Sequence, residues 1–395
     1  MEQTEVDVLI IGGGIAGPAL AAALAPHQLR VALVERDAGP LDTARGDHLQ
    51  PRAVELLDAW GALDDIVGLG AEQRHGTIWY DTTGQPLVRA MLDQTDLPFP
   101  YFLYLNHELI NQALLTAAGR NPNLTVYKPV TGWELIERSP TACTVEIAGE
   151  GGPQRITASV LVGADGQNSR IRQVAGIDAE LSRYARPISI FFAPYTEQPE
   201  GNSLTAYIGD QGIVALVPRT GGICKIGIAT NPDELSTWRE LDGPGIRDRI
   251  NALLSNAGGP GLPIGEPEHI GTYPPVRVTA ERWVSDNIVL MGDACHAMHP
   301  AQSQGMNVAI RCADALTAAL VASPDDPGAA LLAYEQATRP AIEPILETNH
   351  QAGSLFDVTT PEPLQGFTDM LTGLGANEQA TLGYTITTAG YPPPA

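Results

Sequence analysis

Glycines 12, 14 and 17 stand in the run Gly12-Gly13-Gly14-Ile15-Ala16-Gly17, directly after an apolar segment at 5–11. Placed between a strand and a helix, that spacing suits the binding of a dinucleotide pyrophosphate. Gly12 permits the tight turn, Gly14 lets backbone approach the phosphates, and Gly17 lets the helix pack closely on the strand. Ile15 and Ala16 open the helix, whose N-terminus offers unpaired N–H groups and partial positive charge. Glu35-Arg36 follows a second apolar run at 31–34, where an acid can accept from the two ribose hydroxyls. An acid there repels a 2′-phosphate, so the resident dinucleotide is expected to be FAD or NAD rather than NADP.

Two further stretches lie far along the chain. Gly163-Ala164-Asp165-Gly166, with Ser169 and Arg172, follows an apolar run at 160–162. Asp165 reads either as a cofactor contact or as a side chain that stabilises its own turn. Gly292-Asp293-Ala294 follows another apolar run at 287–291 and leads through His296 and Pro300 to Gln304-Gly305-Met306-Asn307. Asp293 can accept from a ribityl hydroxyl, and a helix starting near Asn307 can stabilise negative charge on a reduced flavin ring. The three stretches, in this order and this widely spaced, point together to one flavin dinucleotide.

Other residues of chemical interest have plainer readings. His296 and His299 are close in sequence, but only Asp293 or Cys295 could complete a metal set, and no metal is expected. Tyr184, Tyr195 and Tyr207 fall in a β-rich region. Tyr195 and Tyr207, with Pro300, are the candidates for direct catalytic contact, although sheet packing explains a tyrosine there as well. Arg183 and Arg186 suit an anionic group or solvent, and Trp79, Tyr101 and Tyr104 an aromatic pocket or the core.

The elements that must position these residues follow from pattern and length. With 395 residues the chain has room for two or three domains. The run at 5–11, a helix at 18–24 and a strand at 31–34 make one βαβ unit. A polar loop is expected at 45–50, helices at 51–60 and 108–118, and strands at 124–126 and 144–147. Residues 77–88 read as strands around a turn at Thr83-Gly84, and 187–229 as a meander broken at 209–212 and 220–222. A strand at 287–291 and a helix at 307–322 follow. The tail after 357 alternates Pro, Gly and polar residues, and is expected to wrap the body or to be mobile. The fold class is therefore α/β, with a Rossmann-like FAD-binding domain at 1–72, 106–179 and 281–355. A β-rich substrate domain is interleaved at 73–105 and 180–280, and 356–395 form the tail.

With 46 acidic against 23 basic residues, the net charge is −23, which disfavours nucleic acid and anionic membranes as partners. The apolar stretch 6–25 contains Asp7, Pro18 and several glycines and follows no basic flank, unlike a signal peptide or membrane span. Cys143, Cys224, Cys295 and Cys312 are scattered and are expected to be reduced, in a cytoplasmic protein.

The three stretches resemble those of the class A flavoprotein monooxygenases, the family of para-hydroxybenzoate hydroxylase, in its compact form without a C-terminal thioredoxin-like domain. The resemblance implies tightly but non-covalently bound FAD, transient NADH or NADPH, and O2. It implies a flavin hydroperoxide that hydroxylates or epoxidises an aromatic or polycyclic small molecule. It adds Arg45, in the loop Ala44-Arg45-Gly46-Asp47, as a contact to flavin phosphate or ring. It adds His107 where relatives carry Arg or Gln toward FAD. Ser303 stands where a glycine is common, and Cys312 where an Asp usually follows. A reductase of the same fold and a non-catalytic, redox-sensing flavoprotein are the alternatives. The W-x-W-x-I-P segment of flavin halogenases is absent, since all five tryptophans are isolated.

Overall fold

The computed structural model describes residues 3–39, 48–149, 151–254, 261–358 and 360–392. Its first sheet orders the strands Val284–Ser285, Ile288–Leu290, Gly152–Gly163, Gln3–Ile11, Val31–Val34 and Leu124–Tyr127 side by side. The strands from Ile288–Leu290 to Leu124–Tyr127 run parallel. Val31, Ala32, Leu33 and Val34 are all buried, as expected of a parallel strand covered on both faces. Register then does the work that matters for function. Ile11 lies opposite both Val34 and Gly163, and Gly163 lies opposite Leu290. The last residues of these neighbouring strands therefore stand level, and the three glycine-bearing stretches leave the sheet at one end.

Helices cover this sheet. Ala16–Leu24 packs against both His107–Ala118 and Gln304–Ala322. The helix Gln304–Ala322 is long and apolar enough to cross a membrane, but half of its most apolar window is buried. Val308, Ile310, Ala313 and Leu316 lie in the main core, so packing accounts for its apolarity.

A second sheet of seven strands draws Gly76–Tyr80 and Pro86–Met91 together with Ile188–Pro194, Leu204–Ile208, Ile213–Arg219, Ile223–Ala229 and Glu268–Tyr273. Alternation along its strands gives two apolar faces. Phe191, Val214, Leu216, Ile226 and Ile228 pack under Trp238, Ile246 and Ile250 of the helices Leu235–Glu240 and Gly243–Leu254. Ile188, Ile190, Ile208, Ile213 and Val88 form the opposite face, with Phe356, Leu364 and Leu371.

Four expectations are corrected or sharpened. The meander expected over all of 187–229 is not formed, because Ile188–Pro194 pairs with Ile223–Ala229 and not with the next strand, Leu204–Ile208. Of the loop expected at 45–50, His48–Leu49 is a buried strand paired with Leu103 and Tyr104, because the polar His48 ring is seated against Phe102 and Tyr104. The tail packs on the body, and does so as the helices Pro361–Gly375 and Glu378–Thr388, for which its pattern gives no elements. Its glycines, which read as breakers, permit close approach; a Cβ on Gly375 would stand 2.0 Å from the Leu87 carbonyl oxygen. The hairpin Val130–Arg138 with Cys143–Gly149 extends what read as isolated short strands.

Candidate active site

The glycine turn is shaped by contacts that exclude side chains. A Cβ on Gly12, at φ +119°, would lie 2.2 Å from the Ala164 oxygen, and one on Gly17 2.0 Å from the Gly12 oxygen. Around Gly14, by contrast, a Cβ would meet nothing within 4 Å. The loop is thus pinned at both ends and open in the middle, the form a pyrophosphate cradle requires. Glu35 sits against it: one carboxylate oxygen accepts from the Gly13 N–H at 2.5 Å, the other from the Asp37 N–H at 2.7 Å. Arg36 turns outward and pairs with Asp37 at 3.1 Å, its side chain 80% exposed. Ile15 is buried and Ala16 half-buried at the start of the helix.

The second and third stretches close on the first. A Cβ on Gly292 would lie 2.9 Å from that of Ala16. Buried Arg172 donates to the Ala294 oxygen at 2.7 Å and the Gln167 oxygen at 3.1 Å, tying the second stretch to the third. Asp293 is half-buried at the head of the short helix Asp293–His296. Asp165 takes the turn role: its carboxylate accepts from the Ser169 hydroxyl and from the N–H groups of Arg170 and Ile171. That makes it a positioning residue, with its oxygens directed to its own helix.

Pro300 is exposed at the start of the turn Pro300–Gln302. Ser303 then adopts φ +53° and ψ +31°, left-handed backbone that favours glycine. Gly305 and Met306, both half-buried, fall in the first turn of Gln304–Ala322, where backbone N–H groups are unpaired. Asn307 accepts from the Gln50 N–H and donates to the oxygens of His48 and Ser303 at 2.9 and 2.7 Å. Its amide therefore shapes the loop. His107 begins the helix His107–Ala118 and is half-buried. Arg45 lies outside the described residues.

Asn111, which no sequence signal singled out, holds the first stretch in place. Its amide donates to the oxygens of Gly13 at 2.8 Å and Gly14 at 2.5 Å. A polar residue on the buried face of an amphipathic helix was the available clue.

The two tyrosine candidates are displaced from the site. Tyr195 and Tyr207 pack with the cluster under the helices Leu235–Glu240 and Gly243–Leu254, whereas Ala301 packs with the opposite face. Burial pushes both phenols upward, Tyr207 to about 12, so neither is poised to ionise. A cleft of about 620 Å³ beside Tyr80 and Tyr207 is lined by none of the three glycine-bearing stretches. His296 and His299 are buried and turned to different partners, Cys312 at 3.5 Å and the Ala301 N–H at 3.1 Å. Burial lowers each to about 4, so both rings are neutral at pH 7.

Residues 5–349 match the family model described as an FAD binding domain. The chain belongs to the class A FAD-dependent aromatic monooxygenases. It is 30% identical over 359 residues to a ubiquinone hydroxylase of Rhodospirillum rubrum, covering 85% of this chain and 78% of that one. It is 28% identical to a 6-methylpretetramide 4-monooxygenase of Streptomyces rimosus, covering 78% and 74%. The crystal structure of a p-nitrophenol 4-monooxygenase from Pseudomonas putida superposes with a TM-score of 0.84 over 99% of both chains, at 20% identity, a likeness of fold. FAD is the cofactor of this monooxygenase and NAD(P)H its co-substrate. The chain's own geometry fits that group: a pinned glycine turn with open space at Gly14, an acid beside it, and a third stretch packed on the same helix.

Proposed function

We propose that this monooxygenase inserts oxygen at an electron-rich ring carbon of an aromatic or polycyclic small molecule. The observation that carries this reading is the alignment of three glycine-bearing loops at one sheet end, with Ala301 of the third packed onto an apolar face of the second sheet. Relatives named as a ubiquinone hydroxylase and a 6-methylpretetramide 4-monooxygenase support a ring-bearing small-molecule substrate. When bound, FAD takes electrons from NAD(P)H and uses them to activate O2. The chain's part is to bind, orient and keep dry. Gly12, Gly14, Gly17 and Glu35 would hold the dinucleotide. Asp293 and the backbone at Gly305 and Met306 would hold its flavin end. Ile188, Ile190 and Ile208, with the half-buried Trp79 and Phe192, would exclude water from the ring to be oxidised. Residues 1–72, 106–179 and 281–355 would form the FAD-binding part, and 73–105 and 180–280 the substrate part. The buried free thiols at all four cysteines support a reducing compartment, and we place the enzyme in the cytoplasm.

The test is an absorbance spectrum of the purified chain, then NADH and NADPH oxidation with a panel of phenols, quinols and fused-ring phenols. The expected result is a flavin spectrum and oxidation stimulated by one ring class, with product formed only when O2 is present. Product formed without O2 would make the chain a reductase and overturn the reading.

A further inference from the structure

We infer that His299 is a positioning residue for the flavin-side loop, set from below by the end of the helix Pro327–Ser354. This rests on the proposed placement of residues 300–306 beside the flavin. The imidazole Nδ1 accepts the N–H of Ala301 at 3.1 Å and so caps the turn Pro300–Gln302. Accepting at Nδ1 fixes the neutral tautomer that carries its proton on Nε2. A protonated ring would present a donor to a donor and release the cap.

Three residues near the end of the helix Pro327–Ser354 fix His299, through its backbone, through Tyr184 and by close approach to its side chain. Asn349, fully buried, donates to the His299 oxygen at 2.9 Å. His350 meets the Tyr184 hydroxyl at 3.0 Å, and Tyr184 sets its ring edge against His299 with centroids 4.6 Å apart. Gly353 leaves the room: a Cβ there would stand 2.6 Å from the His299 Cβ and 2.7 Å from its Cγ. Phe356 closes the far side at 5.3 Å. His350, Gly353 and Phe356 lie beyond the matched family segment, which ends at 349. The turn it sets leads directly into Ser303, Gly305 and Met306.

Charged and titratable groups also flank the clamp. Tyr184, His350, Arg277, Glu347 and Asp357 face it from its neighbouring elements. Burial of His299 keeps it neutral through the working pH range.

The test compares His299→Asn, His299→Leu and Gly353→Ala in the full-length protein. The readouts are FAD dissociation constants from fluorescence titration of flavin-stripped protein, visible flavin circular dichroism, and melting of the flavin-free form. Asparagine keeps an oxygen that can cap Ala301; leucine keeps bulk alone. His299→Leu and Gly353→Ala are expected to weaken FAD about tenfold, the worth of roughly one lost buried hydrogen bond, and to alter the flavin dichroism. His299→Asn should stay within about twofold of wild type. Equal FAD affinity in wild type and His299→Leu, or equal losses in the Asn and Leu variants, overturns the inference. A wild-type protein that takes up no FAD would instead overturn the proposed function.

Discussion

Replacing Asn111 tests how the glycine turn is held. Its amide donates to two backbone oxygens, Gly13 in a buried setting and Gly14 in a half-buried one. In Asn111→Leu both acceptors lose their donor. An unsatisfied buried carbonyl costs about 1–3 kcal/mol, and the one near solvent less, giving roughly 2–4 kcal/mol in all. Whatever part is not regained on binding appears as lost affinity, about tenfold for each 1.4 kcal/mol. FAD should therefore bind at least about tenfold more weakly, and the urea midpoint should fall. Asn111→Asp sharpens the test, because it keeps the shape and swaps a donor for an acceptor facing two acceptors. Burial and the two carbonyl oxygens raise the folded-state pKa of the new carboxyl above its unfolded value of about 3.9. In that window the folded state holds more protons than the unfolded state, so relative stability falls as pH rises. The variant should lie closer to wild type at pH 5 than at pH 8. Urea midpoints at both pH values and FAD titration by fluorescence quenching give the answer. An Asn111→Leu protein with wild-type FAD affinity and midpoint would refute the role assigned to the amide.

Three further outcomes are expected. Ser303→Gly relieves left-handed backbone at φ +53° and should stabilise the protein by about 1 kcal/mol, read as a higher melting temperature; a lower one contradicts the strain. Gly375→Ala places a carbon 2.0 Å from the Leu87 oxygen, so the two C-terminal helices should detach and limited proteolysis should cut after residue 358 faster than in wild type. His48, His296 and His299 are buried with pKa values lowered by desolvation to about 3, 4 and 4. Between those values and about 6.5 the unfolded chain holds the extra protons, so stability should drop as pH falls from 7 toward 4; an unchanged urea midpoint from pH 7 to 5 would contradict it.

Much of the nucleotide-binding core is legible in the sequence. Short-range rules suffice for a strand, a glycine turn and a helix, because the apolar run, the missing Cβ atoms and the helix start all lie within 20 residues of one another. The same holds for the hairpin turn at Thr83-Gly84, but not for the order of the strands between Ile188 and Ala229, where Ile188–Pro194 pairs with Ile223–Ala229 across a long-range contact instead of with the next strand. A family's spaced glycines likewise identified the cofactor.

Pattern could not say which way a half-buried side chain faces once sheets and helices are stacked. Tyr195 and Tyr207 are plausible in sequence, yet strand alternation turns them to the face covered by Leu235–Glu240 and Gly243–Leu254. Asp165 and Asn307 look like ligands, but backbone groups brought near by the turn and by the strand His48–Leu49 take their hydrogen bonds. The tail's pattern shows no helix because its glycines and prolines weaken local helix propensity; burial of Leu364 and Leu371 on the sheet outweighs that. Asn111 and Gly353 matter only through partners about 97 and 54 residues away in the chain. The sequence by itself determined the cofactor class and the strand, glycine turn and helix that open the nucleotide-binding fold. Tertiary structure decided which polar groups face that site, because strand register and helix packing, not local pattern, set the direction of each side chain.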